Sequence, residues 1–122
     1  MTDTVKKMGF VFRSGPYGTA NPREMLDLLL VASAYDQAIS LFFIGEGLLH
    51  LRSGQAPAEL GIKNHTKILA GLDLYDIEHL YVRQSDLKRF NLEPSALITE
   101  VILLSDPAFA AQLGAQEQVV TA

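Results

Sequence analysis

The first chemically suggestive segment is a glycine-containing loop that follows an apolar run. Residues 8–12 read Met-Gly-Phe-Val-Phe, which predicts a strand, and residues 13–19 read Arg-Ser-Gly-Pro-Tyr-Gly-Thr. Ligands gather at the carboxyl ends of strands in open α/β sheets, and glycines let backbone N–H groups approach an anion. Arg13 and Tyr17 are candidates for contact with an acidic group. Because neither GxGxxG nor GxxxxGKS/T is present, a tight strand-to-helix connection is the simpler interpretation, and binding of a small anion or nucleotide by the 14–19 loop is the alternative.

Other residues that could perform catalysis or bind a metal occur singly. Ser14 lies at the predicted strand end without the GxSxG motif of a serine nucleophile, so we expect its hydroxyl to hydrogen-bond the turn. His50, His65 and His79 lack a second ligand at metal-binding spacing. The chain contains no cysteine, which excludes disulfides, thiolate metal sites and thiol catalysis. We therefore predict no catalytic residue, no cofactor and no metal site.

Length and composition predict one soluble domain over residues 1–122. Hydrophobic residues make up 48% and charged residues 20%, and the net charge is −4. Because the ten basic residues are scattered rather than clustered, we expect no direct nucleic-acid binding. The first residues lack the apolar region of a signal peptide, and no apolar run approaches the ~20 residues of a membrane span. Together with the absence of cysteine, these features predict a cytoplasmic location without membrane contact.

Strand and helix patterns alternate along the chain. Asn21, Pro22 and Glu24 form an N-cap, a first-turn proline and a capping box, so a helix should begin near Pro22. We expect the last two helices to have Ser85 and Asp106 as N-caps. In chain order, we predict strands at 8–12, 39–44, 77–82, 97–104 and 118–121, and helices at 22–35, 64–75, 85–90 and 106–114. This alternation predicts an α/β fold with a mostly parallel sheet covered by helices on both faces.

Two apolar segments are candidates for a subunit interface. The helix predicted at 22–35 is apolar over more of its circumference than a surface helix requires. Leu48, Leu49 and Leu51 closely follow the predicted second strand, and they belong either to the core of the chain or to an exposed contact with a partner.

Several segments, taken in order, resemble the DsrE/DsrF-like sulfur-relay family and most closely its TusC/DsrF branch. They are KMGFVFRSGPYGT at 7–19, AYDQ at 34–37, LFFIGEG at 41–47, GQ at 54–55 and GLDLYDI at 71–77. The resemblance extends to about residue 95. It implies a three-layer α/β/α domain with a five-stranded mostly parallel sheet.

The resemblance also implies a function in an assembly. Three homologous subunits, B, C and D, form a heterohexameric sulfurtransferase, which passes persulfide sulfur through a carrier protein toward 2-thiouridine at the tRNA wobble position. In that family the sulfur is carried on a cysteine near the end of the third strand of the catalytic subunit. Here the corresponding residues 81–85 read Tyr-Val-Arg-Gln-Ser. Because persulfide relay requires a thiolate, we expect a non-catalytic subunit that orders its neighbours.

Three further expectations follow from this comparison. Arg83 either lends positive charge near a partner's thiolate or is a solvated residue at a strand end. Arg13, Ser14, Tyr17 and Arg83 are candidate residues near a partner's site. The alternative function within the family is a DsrF-type subunit of a dissimilatory sulfur-oxidation complex, and the alternative from another class is the anion-binding or nucleotide-binding protein using the 14–19 loop.

Overall fold

A five-stranded parallel sheet organises the chain, as the sequence predicts. The computed structural model describes residues 6–13, 22–35, 37–53, 69–75 and 77–121. The strands are β1 (Lys7–Phe12), β2 (Ala38–Phe43), β3 (His79–Arg83), β4 (Ile102–Leu104) and β5 (Gln118–Thr121). They lie in the order β4-β3-β2-β1-β5, and every neighbouring pair is parallel.

Three α-helices that lie entirely within the described ranges, together with three 3-10 helices, connect the strands. The α-helices are α1 (Pro22–Ser33), α2 (Gln84–Arg89) and α3 (Asp106–Gly114). The 3-10 helices span Gly45–Leu51, Leu72–Tyr75 and Pro94–Ala96. None of the helices in these ranges reaches the length and apolar character that a bilayer crossing requires.

The strand order explains how the helices are distributed over the two faces of the sheet. From β1 to β4 the chain moves in one direction, so right-handed crossovers place α1 and α2 on the same face. The connection from β4 to β5 returns across the whole sheet and places α3 on the opposite face. The two buried clusters are consistent with this placement of the helices. Leu29 of α1 and Leu87 of α2 belong to one cluster, and Phe109 of α3 belongs to the other.

Alternation along the strands divides their side chains between these two clusters. Phe10 and Phe12 of β1 join the larger cluster, whereas Val11 joins the smaller one. The larger cluster consists of Phe10, Phe12, Leu26, Leu29, Ile39, Leu41, Phe43, Leu48, Leu51, Leu69, Leu72, Ile77, Leu80, Val82, Leu87 and Leu97. The smaller cluster consists of Val11, Phe42, Tyr81 and Phe109.

The fourth strand is shorter than the sequence predicts. Residues 97–104 are apolar enough for one continuous strand, but only Ile102–Leu104 pairs with β3. Leu97 instead forms an isolated antiparallel bridge with Arg52, after the 3-10 helix at Pro94–Ala96. Apolarity alone does not separate a strand from an extended segment that is buried by packing, so the prediction was wrong for residues 97–101.

The helix ends differ from the prediction at two caps. Ser105, not Asp106, caps α3, and its side chain accepts a hydrogen bond from the Ala108 N–H at 3.4 Å. Ser85 is the second residue of α2 rather than its cap, and its hydroxyl donates to Asp106 Oδ1 at 2.7 Å. Both serines therefore act near the start of α3.

Other predicted helix ends agree with the structure or fall partly outside it. Asn91 follows α2 with a φ of 55°, the left-handed conformation that commonly ends a helix. Residues 69–70 are helical and lead to the 3-10 turn Leu72–Tyr75, whereas the predicted start at Asn64 lies outside the described residues. The predicted cap Asn21 also lies outside them.

Candidate functional site

The predicted site residues that the structure describes lie at the carboxyl edge of the sheet. Arg13 follows β1 and is exposed, and Arg83 ends β3. Because the strands are parallel, both residues lie at the same edge, with the end of β2 between them. The other two candidates, Ser14 and Tyr17, lie outside the described residues.

An ion pair joins Arg83 to the first turn of α2. Arg83 Nε donates to Asp86 Oδ2 at 2.9 Å, and Arg83 Nη2 donates to Asp86 Oδ1 at 3.0 Å. The Asp86 residue is 3% exposed, whereas the Arg83 side chain is 28% exposed. The hydrogen bond to Asp86 is the largest cause that raises the pKa of Arg83, and the charges of Asp86 and Asp106 also raise this pKa while partial burial opposes them.

The Asp86 carboxylate also holds the turn that follows β2. The Gly45 N–H donates to Asp86 Oδ2 at 2.9 Å, so one buried carboxylate connects the ends of β2 and β3. Two oxygens accepting three N–H groups satisfy most of the carboxylate's hydrogen-bonding capacity. This connection restrains the carboxyl edge between residues that are 41 positions apart in the chain.

The turn itself depends on two glycines. Gly45 has a φ of +56°, which side chains rarely adopt. A Cβ added at Gly47 would lie 1.8 Å from the carbonyl oxygen of Phe12, so only glycine permits this approach to the end of β1. The turn is therefore fixed to β3 on one side through Asp86 and to β1 on the other through Gly47.

Arg83 is engaged within its own chain rather than simply solvated. Besides the bidentate pair with Asp86, its guanidinium carbon lies 5.9 Å from the centre of the Phe109 ring in α3. Arg83 is therefore ion-paired at the end of its strand and keeps 28% of its side chain exposed. An effect of its charge on a partner's thiolate stays a prediction.

The segment that corresponds to the family's sulfur-bearing position offers no substitute nucleophile. Tyr81 is buried, and burial raises the pKa of its hydroxyl, which keeps the phenol protonated. Ser85 Oγ–H is used in its bond to Asp106. With no cysteine in the sequence, this chain has no thiolate to attack a persulfide.

The histidines do not come together where the structure describes them. His50 is buried, and its ring meets the Phe12 ring edge-on with centroids 5.4 Å apart. His79 is exposed and stacks on Tyr81, and His65 lies outside the described residues. Across the described ranges, no group of three or more His, Cys, Asp or Glu side chains is placed to hold a metal ion.

The leucine cluster after β2 is mainly part of the core. Leu48 and Leu51 are fully buried within the chain, on the 3-10 helix that packs over the larger cluster. Leu48 and Leu51 are therefore core residues of the chain, which is one of the two alternatives that the sequence leaves open for them. Leu49 is half-buried and keeps some exposed surface, so its interface role stays a prediction.

The first helix carries an exposed apolar stripe. Leu28, Val31 and Tyr35 are 47%, 56% and 71% exposed, while Leu26 and Leu29 on the other side are completely buried. The spacing i, i+3, i+7 places the three exposed residues along one side of α1 and the turn that follows it. Apolar residues thus lie both on the core side and on the solvent side of this segment.

Sequence reasoning did not single out Asp86, Gly45 or Gly47 as site residues. The Arg83-x-x-Asp86 spacing is one signal that was available, since residues three apart on a helix are neighbours. The contact of Gly47 with β1 had no local signal, because it depends on the packing of distant segments.

Comparisons with known proteins agree with the fold and with the branch suggested by the sequence. The model of the DsrE/DsrF-like family matches residues 6–122. A "Protein TusC homolog" from Aliivibrio fischeri is 33% identical over 95% of this chain and 98% of its own length. The "Protein TusC homolog" of Pasteurella multocida is 38% identical over 94% and 98%, and that of Vibrio vulnificus strain CMCP6 is 40% identical over 80% and 82%.

A solved structure supports the fold independently. The crystal structure of the ychN protein from E. coli superposes with a TM-score of 0.79, covering 96% of this chain and 99% of that one. At 18% sequence identity, this likeness concerns the architecture alone.

Proposed function

This chain belongs to the DsrE/DsrF-like family, and we propose that it is a non-catalytic subunit of the sulfur relay that supplies 2-thiouridine in tRNA. The observation that carries the proposal is its similarity, over nearly its whole length, to relatives named as TusC homologs. The branch suggested by the resemblance at 7–19 and 41–47 is the same.

The absence of cysteine supports the non-catalytic role. In a persulfide transfer, a thiolate attacks the outer sulfur of the donor, the S–S bond of the donor breaks, and a new S–S bond forms on the acceptor. No side chain of this chain can accept sulfur in this way. The cysteine must therefore come from a partner, and this chain contributes by placing that partner correctly.

We further propose that the partners are homologous B-type and D-type subunits in a heterohexamer, with a sulfur-carrier protein downstream. The stripe of Leu28, Val31 and Tyr35 supports a protein contact, because contiguous exposed apolar surface favours association. Half-buried Leu49 is a second candidate contact. A cytoplasmic location is consistent with this role and belongs to the same proposal.

Two alternative functions have less support. A DsrF-type subunit of a dissimilatory sulfur-oxidation complex would share the fold and the missing cysteine, but relatives that match nearly the whole chain bear the TusC name. Binding of an anion or nucleotide by residues 14–19 falls on a segment outside the described residues, and no contact in the described structure favours it.

The proposal is tested by supplying the purified chain with a cysteine desulfurase, pyridoxal phosphate and sulfur-labelled cysteine. We expect the isolated chain to stay unlabelled, because it has no thiol to carry a persulfide. When the chain is co-purified from its native host, we expect a homologous cysteine-containing subunit to accompany it and to take up the label.

Reductant treatment is the control for the labelling, since persulfide sulfur is released by thiols. Reductant-sensitive label on the isolated chain would contradict the non-catalytic assignment. Purification of the chain without any homologous subunit would contradict its place in a complex.

A further inference from the structure

We draw no further inference here: the strongest candidate, the pair of adjoining cavities beside β4 that share Thr99 and Glu100, joins an apolar groove to the carboxylates of Asp73 and Glu78, and nothing in the structure shows what covers it.

Discussion

At the scale of single residues, the carboxyl edge depends on one buried acid. Asp86 accepts hydrogen bonds from Arg83 and from the Gly45 N–H, so it links two strand ends that are distant in sequence. A charged acceptor that is nearly excluded from water contributes more than an exposed surface pair, because less solvent screens it. The shape of this edge thus depends on Asp86.

Replacing Asp86 with asparagine should therefore lower the free energy of unfolding by about 1–3 kcal/mol. The amide cannot accept both guanidinium bonds and the Gly45 N–H, and Arg83 loses the charge that balances its own. Urea unfolding of the isolated chain, followed by circular dichroism, measures this loss. Asp27→Asn is the control, because Asp27 is an exposed residue of α1. It should change stability by less than about 0.5 kcal/mol. Equal stability of the two variants would contradict the role assigned to Asp86.

The site residues could be predicted from the sequence only in part. The absence of cysteine can be read directly from the sequence, and the position of Arg83 at a strand end follows from the apolar run before it. The partner of Arg83 was missed because residue types do not reveal which of several nearby acids becomes buried. Leu48 and Leu51 were ambiguous for a related reason, since a core leucine and an interface leucine look the same in a sequence.

At the scale of elements, the 3-10 turn after β2 has the strictest steric demands. Gly45 needs a positive φ, and Gly47 needs the absence of a Cβ beside β1. Gly114, at the end of α3, has nothing within 4 Å of a Cβ and does not need a positive φ. Gly45 is therefore required for its backbone angle, Gly47 for its close approach to β1, and Gly114 for neither reason.

Alanine substitutions at these positions should separate the three cases. Gly114→Ala should raise the free energy of unfolding by about 0.4–1 kcal/mol, because it restricts the unfolded chain without strain in the folded one. Gly45→Ala should lower it by about 1–2 kcal/mol through the left-handed backbone. Gly47→Ala should cost more, about 2–3 kcal/mol, because the turn must move away from Phe12. Denaturant unfolding of the three variants gives this order, and a stable Gly47→Ala variant would contradict it.

Element types were more predictable than element ends. The periodic apolar runs of β1, β2 and β3 identify strands, and Pro22 correctly marks the start of α1. The N-caps of α2 and α3 differ from the predicted ones because adjacent serines and acids can each serve as a cap. Ser105 caps α3 through a local bond from the Ala108 N–H, whereas Ser85 bonds to Asp106 in a contact between the starts of the two helices that no local pattern reveals.

At the scale of the whole molecule, the strand order and the family membership are both consistent with a subunit that acts within a complex. The parallel sheet order β4-β3-β2-β1-β5 brings the ends of β1, β2 and β3 together at one edge, and right-handed crossovers then decide which face each helix covers. That edge contains the ion pair between Arg83 and Asp86 and the exposed Glu46, but no thiol. In the proposed function, such a chain acts through the partners that it orients, and the sulfur chemistry takes place on another subunit.

The most direct test of this account is the level of 2-thiouridine in tRNA from the native host after deletion of the gene for this chain. Digested tRNA is analysed by mass spectrometry, with the unmodified host and a complemented deletion strain as references. We predict a strong decrease in 2-thiouridine and its recovery on complementation, although the missing chain bears no catalytic group. Unchanged 2-thiouridine in the deletion strain would contradict the account, and a simultaneous defect in sulfur oxidation would favour the dissimilatory function instead.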